Sequence, residues 1–507
     1  MPKSATLMVP AVPSSAAADV AGAERSAPLL AGKGLPLRLG VLTEQLSPSL
    51  VDEVVAETGR VQRRCRLLPA RTVVYFVLGL CLFSGAESAG PPGYRSVLRS
   101  LTTGLRHVCE VRLPTSAALT RARQRLGAEP LQALFGRVRG PLAALDTPGA
   151  FAFGLRIVAW DGTGIDTANT EANAEAFGRD GTGGRPQLRL LALVECGTHA
   201  LLGAVFDGCA RVSEQVLARR VLDLLRPGML LLADRNFPGH ELWGLACATG
   251  ADLAWRIKKN QVFVPLRRLP DGSFLSVMSA PADNLRYTRA LARARAAGQP
   301  LPGPPPGHRV RIIEYTVTVQ TADGARRIEQ FRLVTSLLDA TVAPAAELAA
   351  LYHQRWESEV SYGELKTRLR GSDFVLRSRS PQMIRQEMFA FLVVYQALCA
   401  LRSRAAATAG LDSDRISFTI TVRLARDQVI SQAAATTAGL RQACQQTIAD
   451  LLQDRLPDRR ARRYERIHWP AKTTYRSRRH DHVRETSKVT YELRITGDNP
   501  YLGAQLK

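Results

Sequence analysis

Leu155-Arg156-Ile157-Val158-Ala159-Trp160-Asp161-Gly162-Thr163 is a short apolar run that closes on a carboxylate. The pattern returns in Met229-Leu230-Leu231-Leu232-Ala233-Asp234, followed by Arg235-Asn236-Phe237. Short apolar runs bounded by turn residues read as buried strands, so each aspartate is expected where such a strand ends. Working outward, the periodicity gives strands over 154–160, 187–195 and 200–206, a helix over 213–225, a strand over 229–233, a helix over 240–249 and a strand over 252–257. Three successive strands, then helix, strand, helix and strand, is the ribonuclease-H-like α/β order. In that layout the first and fourth strands lie side by side, and Asp161 meets Asp234.

A third acid comes from Tyr352-His353-Gln354-Arg355-Trp356-Glu357-Ser358-Glu359, inside a helical segment that also carries Glu347, Glu364 and Lys366. At about 100° per residue, Arg355, Glu359 and Lys366 fall within about 60° of Tyr352, while Glu357 and Glu364 fall more than about 120° away. Glu359 alone shares its face with an Arg, a Lys and a Tyr. There the carboxylate can hold a metal ion, Arg355 and Lys366 can neutralise phosphates, and Tyr352 can offer a phosphate contact or a stacking surface. The plain alternative is a solvated face of ion pairs, Arg355–Glu359 among them. Two strand-end aspartates and this glutamate together make a cage for two hard divalent cations.

The chain of 507 residues has a net charge of +23 and a pI near 10.3, which favours a polyanionic partner. Such a cage in such a chain points to phosphodiester chemistry on nucleic acid. Hydrophobic content of 46% allows a full core. The eight cysteines, at 65, 81, 109, 196, 209, 247, 399 and 444, contain no Cys-x-x-Cys pair. They read as reduced thiols of a cytoplasmic protein, not as a disulfide framework or a zinc site. The longest apolar stretches, 73–83 and 389–401, are shorter than the roughly 20 residues that span a bilayer, so no membrane association is expected.

Organisation follows from composition and punctuation. Residues 1–34 read as a disordered tail and 35–150 as a helical N-terminal DNA-binding domain. The core follows over 151–260, then a β-rich insertion over 261–335 with an Asp323-Gly324 turn. Residues 336–407 form the second part of the core, with the catalytic helix, and 408–507 a basic C-terminal region. Thr115-Ser116 caps a helix over 117–126 that stops at Gly127. Its Arg121 and Arg125, four residues apart, suit a recognition helix, although an ordinary solvated helix has the same pattern.

On these residues the chain resembles bacterial insertion-sequence DDE transposases of the insertion-sequence-4 family. That family's helix signature falls on Tyr352, Arg355, Glu359 and Lys366 without a gap. Its first-aspartate motif falls on Asp161-Gly162-Thr163 and its second on Asp234-Arg235-Asn236-Phe237. The stretch 112–135, with Pro114-Thr115-Ser116 and Ala122-Arg123-Gln124-Arg125-Leu126-Gly127, is similar to the family's N-terminal domain. The resemblance implies cut-and-paste transposition, with two Mg²⁺ ions, replaceable by Mn²⁺, held by Asp161, Asp234 and Glu359. It also implies double-stranded DNA partners, namely the element's terminal inverted repeats and a target, and a homodimer across paired ends. A bacterial cytoplasmic protein, nucleoid-associated when bound to DNA, is expected. Arg235 and Arg256 are candidate phosphate ligands, and Trp356 either stacks on a displaced base or packs in the core. Two further readings stay open: a nuclease that cleaves without joining strands, and a domesticated DNA-binding protein.

Overall fold

The computed structural model describes residues 37–62, 67–85, 91–107, 113–179, 184–258, 260–320, 326–371, 375–431, 437–457 and 490–496. The N-terminal tail, the Asp323-Gly324 turn and residues 458–489 of the basic C-terminal region lie outside these residues.

Among the described residues, eleven strands form one sheet. They are β1 (Phe151–Ala152), β2 (Leu155–Asp166), β3 (Gln187–Glu195), β4 (Leu201–Gly208), β5 (Met229–Ala233), β6 (Asp252–Arg256), β7 (Arg267–Arg268), β8 (Phe274–Met278), β9 (His308–Gln320), β10 (Arg326–Thr335) and β11 (Thr490–Ile495). The order is β4-β3-β2-β5-β6-β10-β9-β8-β7, with β1 on β2 and β11 on β9. β2 pairs antiparallel with β3 and parallel with β5, so the first and fourth expected strands are neighbours. β6 runs parallel to β5, and β10 closes antiparallel on β6. The strand-rich segment after residue 260 therefore continues the same sheet.

One expectation needs correction. β2 does not end at Asp161 but runs on to Asp166, paired with β3 throughout. What stops is its other partner: the register with β5 ends at Ala159↔Leu232. Asp161 thus projects from a strand that is open on one side, just past the end of β5. The polar tail of the strand, Gly162 to Asp166, is carried by β3 hydrogen bonds and not by burial, which is why the apolar run alone did not show it.

Alternation along the strands sorts the core into two faces. Val158, Trp160, Leu231 and Ala233 pack with Leu217, Ala218 and Trp243. Ile157, Ala159, Leu230 and Leu232 pack on the other face with Leu348, Leu351 and Tyr352. A third cluster joins the N-terminal helices to the long helix Pro381–Thr408 and to Leu188, Leu190, Ala192 and Val194 of β3. In helix Ala70–Leu82 every residue except Arg71 is buried, as its unbroken apolar sequence requires. The long helix is apolar and long enough to cross a bilayer, but 83% of its most apolar window is buried inside the fold.

The helical punctuation is local chemistry. Ser47 caps Pro48–Glu57, with proline in the first turn. Thr115 Oγ1 accepts from Ala118 N at 3.2 Å to start Ser116–Leu126, and Gly127 ends it at φ +75°. The segment 345–370 departs from the single helix expected. It is helical over Ala345–Tyr352, tightens to a 3-10 turn at His353–Arg355, resumes over Trp356–Gly363 and widens to a π-turn at Glu364–Leu369. A constant 100° step cannot hold across such a segment, and π-turns commonly accompany functional sites.

Candidate active site

Asp161 and Glu359 meet through Arg355. Its Nη1 donates to Asp161 Oδ2 at 3.3 Å and its Nη2 to Glu359 Oε1 at 2.8 Å. Asp161 Oδ1 also accepts from Gly162 N at 2.8 Å. Burial pushes the Asp161 carboxyl up to about 6; Arg355 and the Gly162 N–H pull it down, while Glu359 and Asp234 push it further up. The three acids therefore share one electrostatic site. Asp234 follows β5 directly, and its carboxylate accepts from Arg235 N.

The elements carrying these acids are locked together by tyrosines. Tyr352 OH donates to Ala233 O at 3.1 Å, fixing the helix against the strand that delivers Asp234. Tyr352 is 3% exposed, so it does not offer the phosphate or stacking surface expected; a ring on that stripe faces the core because the stripe faces the sheet. Ala192 N donates to Tyr362 OH at 2.9 Å, and Tyr362 OH donates to Asp161 O. Lys366 Nζ donates to Thr163 Oγ1 at 3.0 Å, tying the helix to the residue two beyond Asp161. Burial, then the neighbouring Arg370, lowers the Lys366 pKa.

The remaining candidates lie around this centre. Arg235 is exposed and Arg256 half-buried, its guanidinium 4.1 Å from the centre of the Phe331 ring. Trp356 is 39% exposed, which removes the core-packing alternative. Arg121 and Arg125 are exposed on their helix. Between them Arg123 is fully buried and donates to Gln386 Oε1 at 2.9 Å, Ser378 Oγ at 3.1 Å and Tyr94 OH. Arginines at successive alternate positions thus split into two exposed groups and one structural anchor.

Sequence reasoning missed the far side of the helix that carries Glu359. His199 sits in the turn between β3 and β4 at φ +62° and is fully buried. Its Nδ1 is 2.9 Å from Glu364 Oε2 and its Nε2 is 2.7 Å from Glu357 Oε2 and 3.6 Å from Asp414 Oδ1. Arg402 Nη1 donates to Glu364 Oε1 at 2.7 Å and Nη2 to Thr198 O at 2.9 Å, and Tyr395 OH donates to Glu364 at 3.1 Å. Burial opposes a charge on His199, but Glu364 and the two carboxylate hydrogen bonds outweigh it and raise the pKa to about 9. Despite burial, Arg402 and His199 hold the Glu364 carboxyl well below its ordinary range. The two glutamates that helical phase placed off the Glu359 stripe are therefore the ones that grip the core. The only available signal was their acidic character on an otherwise inward face.

His199, Glu357 and Asp414 also have ligand atoms within 4.8 Å of one another, a spacing that could hold a metal ion. Both ring nitrogens already face carboxylates, however, so an imidazolium fills the role of the cation there. The acids around Arg355 differ: they supply hard oxygen donors only, and Glu359 and Asp234 both push the Asp161 carboxyl up, which marks negative charge in need of a partner. That donor chemistry fits a hard divalent cation.

Comparison with known proteins gives the same reading. Residues 36–136 match the family model "Insertion element 4 transposase N-terminal", and residues 152–396 match "Transposase DDE domain". The chain belongs to the insertion-sequence-4 family of DDE transposases. It is 28% identical over 366 residues to transposase InsG for insertion sequence element IS4 of Escherichia coli (strain K12), covering 70% of this chain and 74% of that one. Putative transposase InsZ of the same strain is 30% identical over 164 residues, 31% of this chain and 54% of that one. The solved piggyBac transposase synaptic complex with hairpin DNA aligns at 10% identity with a TM-score of 0.40, over 83% of this chain and 85% of that one. The enzyme is a transposase that cleaves and joins DNA strands, and divalent-metal dependence comes with its DDE domain.

Proposed function

We propose that Asp161, Asp234 and Glu359 are the metal-holding carboxylates of this transposase, on a ribonuclease-H-like scaffold. The scaffold reading is supported by the strand order β4-β3-β2-β5-β6, with three antiparallel strands and two parallel ones. The carboxylate assignment rests on one observation above all: Arg355 bridges Asp161 and Glu359 beside the end of β5, where Asp234 emerges. Two Mg²⁺ ions, when bound, supply Lewis-acid activation of water and stabilise the attacking and leaving oxygens.

The protein's own groups do the rest. Asp161 would offer the ions a carboxylate whose charge burial and the neighbouring acids disfavour and a bound cation would offset. Arg355 orients the Asp161 and Glu359 carboxylates and keeps their repulsion in check. Tyr352 and Tyr362 hold the helix against β5 and β2, so the acids cannot drift apart. Lys366, Arg235 and Arg256 surround the centre with positive charge for the phosphates of a bent strand, and the exposed Trp356 ring is placed to stack on an unpaired base. Arg121 and Arg125 engage the terminal inverted repeat, and two copies act on paired ends.

The test is cleavage of end DNA by Asp161→Ala, Asp234→Ala and Glu359→Ala, with end binding measured in Ca²⁺. Each is expected to abolish cleavage in Mg²⁺ or Mn²⁺ and leave end binding within a few-fold of the parent, since Arg-rich surfaces carry binding. Full cleavage by Glu359→Ala would overturn the assignment.

A further inference from the structure

Resting on that reading, we propose that Glu214 is a fourth carboxylate of the cation site, reaching the Asp161–Asp234 pair through the gap left by Gly162. Glu214 opens the short helix Glu214–Arg219, fixed by Ser213, whose hydroxyl accepts from Val216 N at 3.3 Å. That helix packs on the face of β2 occupied by Val158 and Trp160, through Leu217 and Ala218. Asp161 points to the opposite face, and alternation puts residue 162 on the Glu214 side. A side chain there would ordinarily separate the two faces. Gly162 has none, and a Cβ built on it would collide with Glu214, whose Cγ would be 2.6 Å away and whose carboxyl would be closer still.

The location is open as well as close. β5 stops pairing with β2 at Ala159, so among the described residues no strand flanks Gly162 on the side where Asp234 emerges. A carboxylate lying against Gly162 therefore stands at the sheet's open edge, with only a glycine between it and the acids beyond. Glu214 and Asp161 both act on the Tyr362 hydroxyl, which donates to Asp161 O. Burial raises the Glu214 pKa, Arg189 opposes this and Asp234 adds to it. By contrast, hydrogen bonds and arginines lower two other acids despite burial: Asp207 through Arg220 and the Gly208 N–H, and Asp271 through Ser273, the Ala345 N–H and Arg311. An acid placed beside another acid at an open edge is suited to a shared cation, held directly or through one water. The Gly of Asp161-Gly162-Thr163 then has a specific purpose: it lets a carboxylate from one face of the sheet serve a site on the other.

Mn²⁺ binding to the full-length protein, followed by calorimetry without DNA, tests this, together with the Mg²⁺ concentration that half-saturates end cleavage. Glu214→Gln is expected to weaken Mn²⁺ binding on the order of 10-fold or more and to raise the Mg²⁺ half-saturation by a similar factor, with end binding in Ca²⁺ unchanged. Gly162→Ala, which displaces Glu214, should give the same shift, and the double variant no more than either single one. Asp161→Asn is the reference. If it weakens Mn²⁺ binding and Glu214→Gln does not, the role of Glu214 is overturned while the three-carboxylate site stands. If Asp161→Asn leaves Mn²⁺ binding untouched, the three-carboxylate reading itself fails.

Discussion

Replacing His199 by Gln takes a buried cation from between two carboxylates and gives the sharpest stability prediction. In the parent, Glu357 and Glu364 face the two ring nitrogens at 2.7 and 2.9 Å, and His199 is fully buried. Removing one partner of such an arrangement costs about 3–5 kcal/mol, because the charges left behind stay desolvated. Arg402 at 2.7 Å still neutralises Glu364, which places the loss toward the lower end. The pH dependence is more diagnostic than the loss itself. The His199 pKa rises from its ordinary 6.5 to about 9 on folding. Its stabilisation is therefore complete below pH 6.5 and disappears as pH rises through 9, at roughly 1.4 kcal/mol per pH unit and about 3 kcal/mol in all. Four groups packed in the same network do not titrate in that window. Tyr395 and Cys399 are pushed upward by burial, Glu364 is held down, and Arg402 stays charged. Urea unfolding of both proteins at pH 6.5, 7.5 and 9 would measure this. His199→Gln should be less stable at pH 6.5 and nearly flat across the series. A variant that lost stability with pH as steeply as the parent would refute the imidazolium reading.

Three further outcomes follow from the geometry. Arg123→Ala, which strips buried donors from Gln386, Ser378 and Tyr94, should lower unfolding stability by on the order of 3 kcal/mol. Arg121→Ala should leave stability unchanged within about 0.5 kcal/mol but weaken binding to end DNA by about 1–3 kcal/mol if it contacts a base, measured by gel shift against scrambled DNA. In metal-free buffer Asp161→Asn should be the more stable protein at pH 8. The raised carboxyl, from an ordinary 3.8 to about 6, gives stability that is present below pH 3.8 and lost as pH rises through 6. The same substitution should remove most of the rise in melting temperature that Mn²⁺ gives the parent.

The parts of this molecule that were legible in its sequence are those where one local rule acts alone. β3 and β5 coincide with their apolar runs, and Thr115 and Gly127 bound their helix because capping needs only neighbours in sequence. Helical phase separated directions: Arg355 and Lys366 face β2 and Glu359 pairs with Arg355, while Glu357 and Glu364 face His199. The course of that helix was not legible, since its 3-10 and π-turns answer to tertiary contacts such as Tyr352 with Ala233. Nor was the end of β2, where pairing with β3 carries a polar stretch that hydrophobicity cannot see. The buried His199 network and Glu214 were invisible for a related reason. Each becomes meaningful only when segments distant in sequence are brought together.

The central claim concerns where the divalent cation sits, and anomalous scattering from crystals of the full-length protein grown with Mn²⁺ tests it most directly. The two places in contention are the acids around Arg355 and the buried trio of His199, Glu357 and Asp414. The account predicts anomalous peaks bounded by Asp161, Asp234 and Glu359, lost on Asp161→Asn. A peak at His199, Glu357 and Asp414 with none beside Asp161 would contradict it.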